Sequence, residues 1–246
     1  MRIHQKVEDE RFIHFCDTMG LLVWSEMAAN YVFDPEAASH FVTEWMSIVH
    51  QYKNFPAIVA WTPFNESWGV PKIYWREAEQ ALTLAVYEMT HALDGTRPVI
   101  SNDGWEHTIS DILTLHDYEE DADKFLERYW DLEAIVNNDY PMNLAKYAYA
   151  DGFGYYDEPV VLSEYGGIAF ATEGEEWGYG KNVDTLEAFE ERLGRIHDAI
   201  TECGYFSGVC YTQLTDVEQE VNGLLKMNHE VKIPAEIMKR VMDRLR

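Results

Sequence analysis

Two glutamates in this chain stand where ionisable groups are costly, each at the end of an apolar run. Glu66 closes AIVAWTPFNE (57–66) and is followed by Ser-Trp-Gly; Glu164 closes PVVLSE (159–164) and is followed by Tyr-Gly-Gly. Paired carboxyl groups divide labour when their surroundings differ: an apolar setting keeps one protonated as an acid, and a polar one leaves the other ionised. Trp61 and Trp68 flank Glu66 in sequence, and as indole walls they would lower the local dielectric and stack on a sugar ring. The competing structural reading has Glu66 capping the following segment or pairing with a base.

Polar and aromatic residues recur wherever an apolar run stops. WSE ends GLLVW (20–24), SNDGW ends RPVIS (97–101), HDY ends DILTL (111–115), and TQLTD ends the run from Phe206. Ligands of parallel α/β folds bind beyond the carboxyl ends of the strands, so this layer predicts a pocket. Glu26, Asp103 and Trp105 fall in it as candidate pocket residues, Glu26 and Asp103 equally suited to a structural hydrogen bond, and Arg2 and His4 reach it from the preceding strand end.

The elements that must place these groups follow from periodicity. Runs that are apolar almost throughout suit parallel strands buried on both faces. Between them, Asp34-Pro35 predicts a capped helix with Phe41, Val42, Trp45, Val49 and Tyr52 on one face. Ala78 to Met89 gives a second helix; Leu186 to Ile200 gives a third, with Asp184 as its cap and Gly204 beyond its end. Strand–helix alternation predicts a mainly parallel α/β sheet, either open or closed as a barrel. Only about ten residues part RPVIS from DILTL, barely enough for a crossover, so the helix there shrinks to a turn.

Taken together, RIHQKVEDERF, GLLVWSEM, IVAWTPFNESWGV, NDGWEHTISDI, VLSEYGG and CYTQLTDVEQEVNGLL resemble glycoside hydrolase family 2, the family of β-galactosidases, β-glucuronidases and β-mannosidases. The resemblance implies a retaining glycosidase on a TIM-type (β/α)8 barrel, residues 1–246 forming a single barrel domain. It implies Glu66 as acid/base after the fourth strand, Glu164 as nucleophile after the seventh, and Asn65 as a partner for the sugar 2-hydroxyl. His116 and Tyr118 fall at the sixth-strand end, beside the nucleophile. Tyr211 and Gln213 fall at the eighth, where relatives often carry a Trp that this chain lacks. It also implies an incomplete barrel, strands three to eight with a remnant of the second in RIHQK. The open edges would then be covered by association, by a homo-oligomer for instance, or tolerated through charge.

Composition narrows the partners. With 44 acidic and 19 basic side chains the net charge is −25, which repels phosphate backbones and anionic headgroups. A β-linked carbohydrate is the expected partner, with no nucleic acid and no membrane; no apolar run approaches the roughly 18 residues of a membrane helix. The three cysteines lack metal-ligand spacing and the histidines are scattered, so no metal or cofactor is expected. Reduced thiols and the absence of an apolar leader predict a cytoplasmic location. EEDADKFLERYWDLE and EEWGYG read as solvated or rim segments, from which Trp130 and Trp177 would shape subsites. The sugar itself stays open: Lys72, Lys181 and Arg97 offer no clear carboxylate partner, and the acidic balance favours a neutral sugar. Two further readings stand beside the hydrolase, a carbohydrate-binding remnant without turnover and a structural scaffold with incidental acids.

Overall fold

The computed structural model describes residues 1–170, 174 and 176–245. Its elements alternate as the periodicity predicts. In chain order they are β1 (Arg2–Ile3), α1 (Glu10–Met19), β2 (Val23–Glu26), α2 (Pro35–Tyr52), β3 (Ile58–Thr62), β4 (Phe64–Asn65), α3 (Glu77–Leu93) and β5 (Asn102–Asp103). Then follow β6 (Leu113–Asp117), α4 (Ala122–Tyr129), α5 (Leu132–Val136), β7 (Val160–Gly166), α6 (Leu186–Cys203), β8 (Phe206–Thr212) and α7 (Ala235–Met242). The sheets run in the orders β1-β2-β3, β4-β5 and β6-β7-β8, and the pairs in the first two are parallel.

The chain gathers into two compact units, Met1–Leu115 with Val136–Val160, and His116–Ile135 with Val161–Arg246. In the first, α2 starts as its sequence dictates: the Asp34 side chain accepts from the Ala37 N–H, and Pro35 occupies the first turn, where its missing donor costs nothing. The buried face of α2 carries Phe41, Trp45 and Val49. Trp45 meets Trp61 of β3 edge to face and donates its indole N–H to Thr90 on α3, while Phe41 stacks on Phe64 of β4. These contacts fix the ends of β3 and β4, from which Asn65 and Glu66 emerge.

In the second unit α6 packs on α4 and α7. Its cap is Thr185, one residue after the expected Asp184, with the Thr185 hydroxyl accepting from the Ala188 N–H; Gly204 closes it in the left-handed conformation. Buried His197 ties α6 to α7 and to β7: Nδ1 donates to the Val241 carbonyl, which leaves Nε2 to accept from the Tyr165 hydroxyl. Burial lowers the pKa of this imidazole and keeps it neutral, as that pairing requires.

Two expectations change in detail. RPVIS forms no strand of its own; Val99 bridges Trp61 and the regular pairing starts only at Asn102. Helix α1 was not expected, although Asp9 caps it and Gly20 ends it. EEDADKFLERYWDLE contains α4 and the start of α5 with Trp130 exposed between them, and Glu175 of EEWGYG lies outside the described residues. None of the described helices is long and apolar enough to cross a membrane.

Candidate active site

In the first unit the backbone turns sharply as β4 ends. Glu66 and Ser67 both adopt positive φ, 51° and 59°, a region that non-glycine residues occupy only when their surroundings force them. The forcing contacts come from β5 and the loop after it. The Glu66 N–H donates to the Asp103 carbonyl at 2.9 Å, and the Ser67 N–H to Asn102 Oδ1 at 2.9 Å. Ser67 Oγ donates to Glu106 Oε2 at 2.7 Å, and Lys146 pairs with that same carboxylate. The strand end that presents Glu66 is thus pinned by backbone and side chain together.

Beside it lies a buried charged group. Arg2 of β1 pairs with Glu26 of β2 and, through Nε at 2.8 Å, with Asp103; Nη2 donates to Asn65 Oδ1 at 2.8 Å. This last bond fixes the amide. With Oδ1 turned to the guanidinium, Nδ2 points the other way as a donor, and among the described residues it finds no acceptor although it is buried. A buried amide N–H without a partner is costly unless something else supplies the acceptor; a sugar hydroxyl would. Glu26 is committed to Arg2 and to the Gln5 N–H, the structural alternative for that residue.

The aromatic expectations separate. Trp61 is fully buried, donates its indole N–H to Asp94 and packs on Trp45; it is a core residue and does not wall Glu66. The strand explains this, since the side chain that packs under α2 cannot also face a ligand. Trp68 is half-exposed in an edge-to-face contact with Tyr31, and Trp105 is buried with Lys146 Nζ 5.6 Å from its ring.

In the second unit β6 and β7 deliver the other carboxylate. Glu164 is 5% exposed. Its Oε2 accepts from the Tyr118 hydroxyl at 2.5 Å and lies 3.4 Å from His116 Nδ1. Burial, reinforced by the charge of Glu164, raises the Tyr118 pKa well above the ordinary phenol value, so this hydroxyl stays a neutral donor. The Tyr118 ring stacks on Tyr179 at 3.5 Å, 8° from parallel, which fixes the direction of the hydroxyl.

Tyr211 and Gln213 organise the loops and have protein partners. Tyr211 accepts from the Ile168 N–H and lays its ring against Gly166. Gln213 Nε2 donates to Asn222 Oδ1 at 2.7 Å, and Asn222 Nδ2 donates to Glu220 Oε1 at 2.9 Å. Glu220 is a group the sequence reading missed. Burial raises its pKa and the charge of Glu164 adds to the shift, while the bond from Asn222 opposes it. Its signal was present in EQEVNG, where a carboxylate and an amide two residues apart follow a strand end.

These two clusters contain the residue types of a glycosidase: a strand-end Asn-Glu in one and a second buried Glu with phenol and imidazole in the other. Comparison with known proteins agrees. The chain is 27% identical over 173 residues to a β-glucuronidase of Pongo abelii and 26% identical over the same length to that of Homo sapiens. Each match covers 66% of this chain and 24% of the relative, so the chain spans only a part of these proteins. Among solved structures, the β-glucuronidase of Faecalibacterium prausnitzii superposes with a TM-score of 0.72 at 20% identity, covering 98% of this chain and 42% of that one. The GH2 β-galacturonidase of Eisenbergiella tayi gives 0.71 at 20% identity, covering 100% and 44%. At residues 7–245 the sequence matches the model for the TIM-barrel domain of family 2 glycosyl hydrolases, and the chain belongs to that family.

Proposed function

We propose that residues 1–246 act as the catalytic barrel domain of a retaining β-glycoside hydrolase, with β1 to β8 supplying its second to eighth strands. The carrying observation is Glu164, a buried carboxylate at the end of β7 that accepts from Tyr118 and lies beside His116, in a chain of glycosidase family. On this reading Glu164 attacks the anomeric carbon as the bond to the departing oxygen breaks and Glu66 gives that oxygen its proton. A glycosyl ester on Glu164 results. Water then attacks the same carbon, Glu66 takes its proton, and the ester bond breaks to free the sugar with its configuration retained. The mechanism requires the two carboxyl groups roughly 5–5.5 Å apart.

Tyr118 and His116 hold the nucleophile in one orientation. Asn65, its amide turned by Arg2, offers Nδ2 to the sugar 2-hydroxyl, a bond that strengthens as the anomeric centre gains positive charge. The sugar is to be sought among β-galactoside-like neutral glycosides and β-uronides, since the relatives above are named for uronides.

Azide separates the two roles. Glu164→Gly should hydrolyse aryl β-glycosides at least about 10³-fold more slowly than the parent and release an α-glycosyl azide when azide is added. Glu66→Ala should give the β-azide and keep most of its rate on substrates whose leaving group needs no proton. Sugar binding without turnover in the parent would support the binding-remnant reading instead.

A further inference from the structure

The hydrolase reading leaves open whether the sugar is charged. Glu220 bears on that choice. Its loop is fastened to the segment carrying Trp177: the Trp177 N–H donates to the Gln219 carbonyl at 2.9 Å, and the Val221 N–H donates to the Trp177 carbonyl at 2.9 Å. Trp177 meets Tyr179 edge to face at 5.8 Å, Tyr179 stacks on Tyr118, and Tyr118 donates to Glu164. Two ring contacts therefore link the Glu220 loop to the phenol that holds the nucleophile. Asn222, oriented by Gln213, grips one oxygen of the Glu220 carboxyl and fixes its direction.

Four cations of this unit, on α4, on α6 and in the loop after β8, are opposed by carboxylates. Arg128 pairs with Asp117 and Glu119, Arg192 with Glu120, Lys226 with Glu230, and Lys232 with Asp216 while also donating to the Val221 carbonyl. A neutral ring can satisfy an oriented carboxylate with its hydroxyls. A ring bearing its own carboxylate brings a further negative charge towards Glu164 and the Glu220 carboxyl, and a pyranose is too small to hold that charge far from its anomeric carbon. Like charges held close in a partly desolvated site discriminate strongly.

We propose that Glu220 is a specificity-determining residue that selects against sugars with a carboxylate at C6, making the substrate a neutral β-glycoside and not a β-uronide. This rests on the hydrolase reading.

A pair of mechanism-based labels tests it without requiring turnover: cyclophellitol aziridine, in gluco and galacto forms, and the 6-carboxylate of each. Intact-mass measurement of the full chain follows the second-order rate of labelling, and peptide mapping locates the label. The parent should be labelled on Glu164 by a neutral form about tenfold or more faster than by its carboxylate. Glu220→Gln, which keeps the shape and removes the charge, should narrow that gap about tenfold. Preference of the parent for the carboxylate overturns the inference by itself, with no variant needed. An unchanged gap in a folded Glu220→Gln protein also overturns it. Failure of all four probes to label Glu164 removes the hydrolase reading, and this inference with it.

Discussion

At the scale of single residues, the Glu164 carboxylate is prepared by a phenol whose pKa is raised, above all by burial. Tyr118→Phe keeps the ring and its stack on Tyr179 and deletes only the hydroxyl. A hydrogen bond to a charged group contributes about 1.5–3 kcal/mol, so kcat should fall on the order of tenfold to a hundredfold. KM should move little, and the melting temperature should stay close to the parent's. A collapse of stability with no specific loss of kcat would show that Tyr118 serves packing alone. The strand-end placement of Tyr118, Asn65 and both glutamates was legible because each ends an apolar run in a distinctive tripeptide. Trp61 misled for an equally physical reason. Its neighbour in sequence is a strand end, but side-chain alternation and the Asp94 hydrogen bond turn the indole into the core, and no local pattern reports that. Glu220 was missed because its importance lies in a chain of amides running through Gln213 and Asn222, which appears only once β8 and the following loop are folded.

Elements are joined here by small polar knots that sequence periodicity does not show. Arg97, which the sequence left without a role, ties the first unit together: Nη1 pairs with Asp94 at the end of α3, and the guanidinium also donates to the carbonyls of Lys53 and Phe55 after α2 and of Ile58 at the start of β3. Burial disfavours the Asp94 charge, yet hydrogen bonds from Thr96, Trp61 and Arg97 hold its pKa down at about 2. A depressed folded-state pKa contributes stability that is present above the unfolded carboxylate value and is lost as pH falls through the folded one. Urea titrations should therefore show a component of stability, about 2 kcal/mol, disappearing between about pH 4 and pH 2, and Asp94→Asn should lack that component. An acid limb unchanged in the variant would assign it to other carboxylates. The loop after β7 has its own constraint. Gly167 has φ +55°, and a Cβ there would run into the Tyr179 ring and come within 2.9 Å of Tyr118. Gly167→Ala should cost more than about 1 kcal/mol from backbone strain alone and should lower kcat by displacing the Tyr118–Tyr179 stack. The Gly-Gly pair was visible in the sequence as part of a resemblance; its reason, close approach of two phenol rings, was not.

For the whole molecule the governing quantity is a net charge of −25. It repels anionic sugars over distance, whereas Glu220 acts at close range, and the two effects respond differently to salt. The Debye length is about 10 Å at 0.1 M and about 3 Å at 1 M, so raising the ionic strength should speed the encounter with a uronide probe and leave a neutral one almost unaffected. If the total charge alone were responsible, high salt would bring the two labelling rates together in the parent and in Glu220→Gln alike. If Glu220 discriminates at contact, a gap of about tenfold should persist at 1 M salt in the parent, because buried and partly buried pairs are screened much less, and should close only in the variant. Labelling rates measured in both proteins between about 0.02 M and 1 M salt therefore separate a property of the composition from a property of the site. A parent gap that vanishes with salt would return the preference to bulk charge and leave Glu220 as a structural acid.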